Sequence, residues 1–571
     1  MCEVTQVKMN RDRTLMDPDF SGYKLSLEGL AVTRTSLVHG PVHTLPTADM
    51  YSFLHAKMFG EHNHLVLDTF NENIVYFISG NGSVYSVGED GTQTEVWNLP
   101  ESGKDRSYNP ALVFASENLA ILSDGTETLF ILETGDRKLG GKWKAVFHDA
   151  VCGKDRSFEA RYGVLQAEGS ELEVVLQYVE EKEKMDGAEM LPKSSGESSF
   201  FNVLEWISFS RVEKDKSWMM ERVRRVISHG GFNYVSITGS NLAVSAEKKT
   251  ILAFDSLHPV EHLNLEKEEK KDEPPHFYWK QTDKDIEMWF YVISDTTKNL
   301  INIEVKEDVL EVKLHGSDLL RGQFEGKIEK DSWTWTLENG KVGILMTKQT
   351  PGLWSKVWGV EGGARGLEVT DTSADTVLPH LTTDNPICTG EPSGEPAFNA
   401  QELESVDDCM DENSMLIWQS GAGSQHVASL AGQQHLLVVQ QLGSTPPALC
   451  VRYDVDGFVW KISDSQLEHV ASFPALGYVQ AGKASRKFLV APHTFSYSAI
   501  CDASRHVYIY RQPKPLEPGH ELRNRKSGTK IQGVAMQQVV TLENNEEILG
   551  IRATPSLIFI ITPHSLYRIQ V

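Results

Sequence analysis

Few residues are placed to do chemistry. In His62-Asn63-His64 the two imidazoles are two positions apart, so on an extended strand they share a face, with His55 and Asp68 near them in sequence. That is the start of a borderline-metal site, but such sites need three or four converging ligands, and the sequence supplies no spacing for the others. A lone His-x-His at a loop edge more often bonds backbone or faces water, so no metal is expected. The six cysteines (Cys2, Cys152, Cys388, Cys409, Cys450 and Cys501) form no Cys-x-x-Cys pair, which excludes the common zinc spacings and reads as reduced structural thiols. GxxxxGK[ST], GxSxG, HExxH and a strand-borne GxGxxG are all absent. Nothing therefore supplies a phosphate loop, a hydrolase nucleophile, a zinc-protease helix or a dinucleotide turn. No catalytic residue, no cofactor and no enzymatic activity are expected.

Charge narrows the partners. With 55 Lys+Arg against 79 Asp+Glu the net charge is -24, which repels phosphate backbones at long range and argues against a direct nucleic-acid binder. Two short basic clusters, Arg222-Val223-Arg224-Arg225 and Arg523-Asn524-Arg525-Lys526, could meet anions or serve nuclear import. Both fall short of the roughly 5–8-residue basic runs that do so, and they read as solvated loop or strand faces. The N-terminal MCEVTQVKMNRDRTLMDPDF lacks an apolar signal region and no run of apolar residues is long enough to span a bilayer. Cytoplasmic and nuclear residence, away from membranes, is the expectation.

The stretch from Pro274 to Trp358 must position the third candidate group, its aromatics. Ile286, Met288, Phe290 and Val292 alternate, as do Ile301, Ile303 and Val305, then Leu310, Val312 and Leu314, then Trp333, Trp335 and Leu337, then Val342, Ile344 and Met346. Period two means strands with one buried face, and turn signals between them give the rhythm of an antiparallel sandwich. Trp279, Trp289, Trp333, Trp335, Trp354 and Trp358 are half of the chain's 12 tryptophans. Such a density predicts a core rich in indoles.

On either side the pattern is one of repeated hairpins. Ile74–Ile78 and Ser83–Val87 flank Asn81-Gly82, a strong hairpin signal. Leu119–Leu122 with Thr128–Leu132, Leu172–Val179 with Phe200–Phe209, and Leu242–Ser245 with Ile251–Phe254 complete four units; Leu449–Tyr453 with Phe458–Ile462, Ala499–Cys501 with His506–Tyr510, and Ile558–Ile561 with Leu566–Ile569 make three more. Seven such units predict a mainly β protein, a β-propeller of about seven blades split by an inserted β-sandwich lying between blades. Closing the ring removes exposed edge strands, and Tyr23–Leu27 is the expected closing strand, beside Leu566–Ile569. The boundaries read as 1–262 for the first part of the propeller, 263–273 a charged linker, 274–361 the sandwich, 362–413 a flexible linker ending in an acidic tract, and 414–571 the rest of the propeller.

At this point the residues carry a resemblance. Trp279-Lys280-Gln281-Thr282, Asp331-Ser332-Trp333-Thr334-Trp335, and Trp354 after Pro351-Gly352-Leu353 resemble a CS domain of the NudC branch, the fold shared with small co-chaperones of heat-shock protein 90. Beyond it, Leu15-Met16-Asp17-Pro18-Asp19-Phe20-Ser21-Gly22-Tyr23, Asn399-Ala400-Gln401-Glu402-Leu403-Glu404, Ala475-Leu476-Gly477-Tyr478 and Tyr508-Ile509-Tyr510-Arg511-Gln512-Pro513 extend the resemblance to the NudC family over nearly the whole chain. It implies an immunoglobulin-like seven-stranded sandwich without catalytic activity and a co-chaperone or adaptor role. The family is associated with heat-shock protein 90 and with clients that are themselves propellers of the WD-repeat or kelch type. The long N-terminal heptad segment of NudC itself is not seen, so its dimeric state and dynein-related role are not carried over.

Interfaces draw on Trp, Tyr and Arg, which makes Tyr278, Trp289, Tyr291, Trp333 and Trp335 the candidate protein-binding residues. Trp333 and Trp335 share a parity and face either the core or a partner, never both. Trp279, Gln281 and Trp354 belong to the domain signature and read as structural. The expected function is a non-enzymatic co-chaperone-like adaptor binding a heat-shock protein 90-type chaperone, client proteins, or both. The alternative is a pure propeller scaffold of a multiprotein complex, in which the sandwich plays a structural part.

Overall fold

The computed structural model describes residues 4–571 except 183–198, 213–216, 261–276, 293–297, 359–365, 369–414, 421–424, 516–521, 524–529 and shorter gaps of one to three residues. The chain divides into two compact units, one of residues 1–261 with 398–571 and the other of 262–397.

The first unit is a seven-bladed propeller. Its blades, each an antiparallel sheet of four principal strands, run in chain order as Val66–Leu67 to Gln93–Asn98, Ala111–Ser116 to Lys144–Ala150, Glu159–Leu165 to Trp218–Ser228, a fourth described below, His435–Val439 to Gln466–Phe473, Arg486–Val490 to Gly533–Thr541, and Gly550–Ala553 to Ser565–Gln570. Both faces of a blade are covered by neighbours, so successive residues of one strand serve two interfaces. In Leu557–Ile561, Ile558 and Ile560 pack against the sixth blade while Phe559 and Ile561 pack against the first. Seven separate apolar clusters join the blades in cyclic order, each shared by two neighbours, and the last of them returns to the first blade. A ring closed by core packing on every side has no large open sheet face left to hide.

Local chemistry sets the hairpins. Gly125 adopts φ +79°, and a Cβ there would lie 2.1 Å from the Tyr108 carbonyl oxygen, so only glycine lets the Asp124-Gly125 turn pass so close. Asp124 fastens the turn through the Thr126 amide at 2.8 Å and the Thr126 hydroxyl at 2.7 Å. Six of the seven expected hairpins form.

The seventh does not, and with it three expectations change. Asn241–Ala246 already has both edges occupied, by Phe232–Thr238 through the tight Gly239-Ser240 turn and by Met415–Ser420. Thr250–Asp255 therefore pairs outward with Trp218–Ser228 as a fifth strand of the third blade. Because Met415–Ser420 and Gln425–Ser429 complete the sheet begun by Phe232–Ala246, the insert interrupts the fourth blade internally and does not fall between blades. The closing strand is Val32–Ser36, antiparallel to Ser565–Gln570, whereas Lys24–Leu25 lies parallel on Gly533–Thr541 of the sixth blade. Before closing the ring the N-terminal arm touches the preceding blades in turn: Val4–Gln6 pairs with Gln425–Ser429, the Asp12 amide donates to His469, and the Tyr23 hydroxyl donates to the Pro474 carbonyl.

The second unit is the sandwich. One sheet holds Ile328–Glu338, Lys341–Lys348, Asp285–Tyr291 and Phe277–Gln281; the other holds Ile301–Val305, Val309–Leu314 and Ser317–Gln323. These are seven strands, to which Gly366–Glu368 adds an eighth, parallel to Phe277–Trp279, inside the stretch read as linker. Its core is Phe277, Trp279, Ile286, Met288, Phe290, Leu310, Val312, Ile344 and their neighbours, roofed by Trp358. Strand periodicity anticipated most of these strands; Ser317–Gln323 was not among them. The turn residues Ser294, Asp295, Asn339 and Gly340, the charged run 263–273 and the acidic tract lie outside the described residues. No helix among the described residues is long and apolar enough to cross a membrane.

Candidate functional site

Register divides the sandwich's aromatics between the two faces of its larger sheet. Ile286, Met288 and Phe290 point into the core, so their neighbour Trp289 faces outward, opposite Tyr278 on the adjoining strand. The two rings stack at 6.0 Å with planes 17° apart, and the Lys341 ammonium lies 4.9 Å from the indole centroid, a cation over an electron-rich face. Trp289 is only 6% exposed, yet its Nε1 finds no acceptor among the described residues. Around this pair the same face carries Leu345, 48% exposed, the exposed Thr334 and Thr336, and the Lys280–Glu287 ion pair at 2.8 Å. An outward sheet face with an aromatic pair, an exposed leucine and an unsatisfied indole donor is built like the middle of a protein interface, apolar at its centre and polar around it.

The other candidates fall elsewhere. Trp333 and Trp335 pair across to Met346 and Ile344 and lie half-buried at the margin of the core, the second with the Lys298 ammonium 5.5 Å from its ring centroid. Tyr291 has the parity of Trp289, and its side chain is outside the described residues. Lys341, Leu345, Thr334 and Thr336 were not singled out from sequence; only cross-strand register brings them beside Trp289.

The signature residues meet at one end of the sandwich. Gln281 accepts from the Trp354 amide at 2.8 Å and donates to the Trp354 carbonyl at 2.7 Å, a reciprocal pair that pins the Pro351–Trp354 loop to the first strand. Lys348, almost wholly buried, donates to Gln281 Oε1 and the Thr282 carbonyl, each at 2.8 Å, and to the Gly352 carbonyl. Trp279 is in the core and Trp354 packs on its rim, over Gly326, where a Cβ would lie 2.7 Å from the indole.

In the propeller the histidine group does not converge. His62 ends the Phe53–Glu61 helix and His64 follows in a loop, not on a strand; their rings are 4.5 Å apart, and His62 Nδ1 lies 3.3 Å from Glu159. Burial holds His64 well below the ordinary imidazole range, followed by the influence of His62 and His43. His55 bonds Ser52 Oγ at 2.7 Å, and Asp68 is taken by Arg137. No group of three or more His, Cys, Asp or Glu among the described residues is placed to hold a metal.

The Arg222–Arg225 cluster is not a solvated face, contrary to expectation. Arg222 pairs with Asp255, Arg224 with Glu173 at 3.0 Å while its guanidinium stacks 3.3 Å from the Trp206 centroid, and Arg225 with Glu205 at 2.7 Å. Sequence spacing could not reveal carboxylates arriving from other strands of the third blade and from the loop end of its fifth. Arg523–Lys526 lies outside the described side chains. Cys152, Cys450 and Cys501 are buried free thiols, Cys501 pushed up to about 12 by desolvation.

Comparison with known proteins bears on these two units directly. The family model "CS domain" matches residues 275–348. NudC domain-containing protein 1 of Mus musculus is 32% identical over 595 aligned positions that cover 100% of this chain and 99% of the relative. The chain belongs to the NudC domain-containing protein 1 family. The Xenopus laevis member is 30% identical over 99% of this chain and 98% of its own. Among solved structures, Sqt1 of Saccharomyces cerevisiae is similar at 8% identity and TM-score 0.30, covering 90% of this chain and 97% of that one. Family membership runs the length of both units, and the matched CS region contains the Tyr278–Trp289 face.

Proposed function

We propose that this protein is a non-enzymatic co-chaperone-like adaptor whose CS domain binds a heat-shock protein 90-type chaperone or a client through the sheet face around Trp289, while the propeller engages a second protein. The observation that carries the reading is the Tyr278–Trp289 stack on the sheet face turned away from the core, with the exposed Leu345, Thr334 and Thr336 on the same face. A partner burying this face removes the exposed leucine from water and packs over the Thr334 and Thr336 edge, with the Tyr278–Trp289 stack as a rigid floor beneath the contact. Residence in cytoplasm and nucleus belongs to the same proposal, because such chaperones and clients are met there.

The test is binding of the full chain to a purified heat-shock protein 90-type chaperone and to propeller-type clients, with Leu345→Glu and Thr336→Arg as variants. Both residues are exposed, so melting should not change while binding to one partner class falls by about tenfold or more. Binding that survives both substitutions but disappears with residues 274–361 moves the interface to another face of the domain. The scaffold alternative gains support if deleting 274–361 leaves every partner in place, since the seven-bladed ring is packed through its own clusters without using the insert.

A further inference from the structure

The innermost strands of the propeller line a cavity of about 1040 Å³, at the upper end of the roughly 300–1,000 Å³ taken by small-molecule sites. Its charges are unbalanced in a chain of net charge -24. Lys57 is held by Glu61 at 3.5 Å and by Glu247, Lys487 by Glu547 at 2.7 Å, and Arg486 donates to the Gln480 carbonyl at 3.3 Å. Two lining guanidiniums remain. Arg552 spends only its Nε, on the Leu65 carbonyl at 2.8 Å, and Arg161 makes no hydrogen bond or ion pair among the described residues. On the same wall the Nε2 of His435 is buried without a partner among the described residues.

Burial, and then the nearness of Arg161, pushes Arg552 down to about 10. Burial, then Lys57 and Arg161, pushes His435 down to about 3, so its ring is neutral at physiological pH and able to donate one hydrogen bond. Glu61 is the lining carboxylate that feels Arg161, whereas only burial and Arg161 act on Arg552, and like charges in a partly desolvated space are unfavourable unless an anion joins them. The chain as a whole is acidic, so this pair is not explained by a generally basic surface.

We propose that the propeller channel is a binding site for a small phosphorylated molecule, gripped by the forked guanidiniums of Arg161 and Arg552 with His435 Nε2 as a further donor. Planar guanidinium forks match the oxygens of a phosphoryl group two at a time, and a cavity of metabolite size suits a compact ligand better than a threaded chain.

The test uses the full chain with inorganic tripolyphosphate as probe, by calorimetric titration and by thermal shift. Wild type should bind, more weakly as salt is raised, and should melt higher with the probe than without it. Arg161→Gln removes a side chain with no hydrogen bond or ion pair among the described residues, whose charge nonetheless favours the Glu61 carboxylate, so the free protein should still fold and melt close to wild type, while binding falls about tenfold or more. Arg552→Lys, which retains charge but loses the fork, should weaken binding independently. No titration heat and no thermal shift at millimolar probe would overturn the proposal, as would an undiminished shift in Arg161→Gln. Binding of polyglutamate but not tripolyphosphate, lost in Arg161→Gln, would reassign the channel to an acidic peptide.

Discussion

Asp68 and Arg137 form a bidentate ion pair with both side chains wholly out of water, Nε to Oδ2 at 2.7 Å and Nη2 to Oδ1 at 2.9 Å. Asp68 follows the inner strand of the first blade and Arg137 follows the third strand of the second, so the pair stitches two blades together. Every group is satisfied: Arg137 Nη1 donates to the Ser116 and Glu117 carbonyls and to Thr134 Oγ1, its guanidinium lies 4.3 Å from the Phe114 ring centroid, and Asp68 accepts from the Phe70 amide and from Asn71. Asp68→Ala leaves a buried cation uncompensated and should cost about 3–5 kcal/mol, whereas replacing both residues by apolar ones of similar size should cost much less. Urea denaturation of the two single variants and the double variant measures the difference.

The N-terminal arm separates closure from tethering. Deleting residues 1–36 removes Val32–Ser36 and bares the edge of Ser565–Gln570, and that variant should aggregate or unfold at 37 °C. Deleting 1–30 leaves the closing strand and removes only its run along the fourth to sixth blades, so a soluble protein with a lowered melting temperature is expected. Size-exclusion chromatography and a melting curve on each truncation distinguish the two.

Lys348 tests how the sandwich holds its loop. Lys348→Met keeps the bulk of the stem but strips one partner each from Gln281 Oε1, the Thr282 carbonyl and the Gly352 carbonyl. A buried acceptor left unsatisfied costs about 1–3 kcal/mol. Hydrogen exchange should quicken in Phe277–Gln281 and Lys341–Lys348 while propeller amides are unaffected.

Acid sensitivity has a definite sign at His435. Its folded-state value, about 3, lies below the ordinary imidazole value, so the unfolded chain takes up the proton first as pH falls. The stability this group contributes is complete above about pH 6.5 and is lost progressively between there and about pH 3. His435→Gln, which cannot titrate, should show a smaller fall in melting temperature between neutral and mildly acidic buffer than wild type. Identical slopes would remove His435 from the account.

Much of this molecule was legible in the chain because its signals are local. Asn81-Gly82 and Asp124-Gly125 mark turns that need special backbone angles at glycine, and the alternation through Ile286–Phe290 and Val342–Met346 marks strands with one buried face. The misread hairpin, Leu242–Ser245 with Ile251–Phe254, looked equally local. What defeated it was Met415–Ser420, from beyond the insert, taking the edge that sequence proximity had assigned to Thr250–Asp255. The Arg222–Arg225 cluster misled for the same reason, since Glu173, Glu205 and Asp255 reach it only through the sheet.

By itself the sequence determined strand content, the number of blade-like units, the tryptophan-rich sandwich and the family signature, all properties written within short windows of chain. Tertiary structure decided which edge each strand joins, that the insert opens within the fourth blade, that Val32–Ser36 closes the ring, and that Trp289 turns to the sheet face away from the core while Trp333 and Trp335 pack at the core's margin. Those outcomes depend on competition between distant segments for the same hydrogen-bonding edge and the same buried face. No local pattern encodes that competition; only the packed ring and sandwich resolve it.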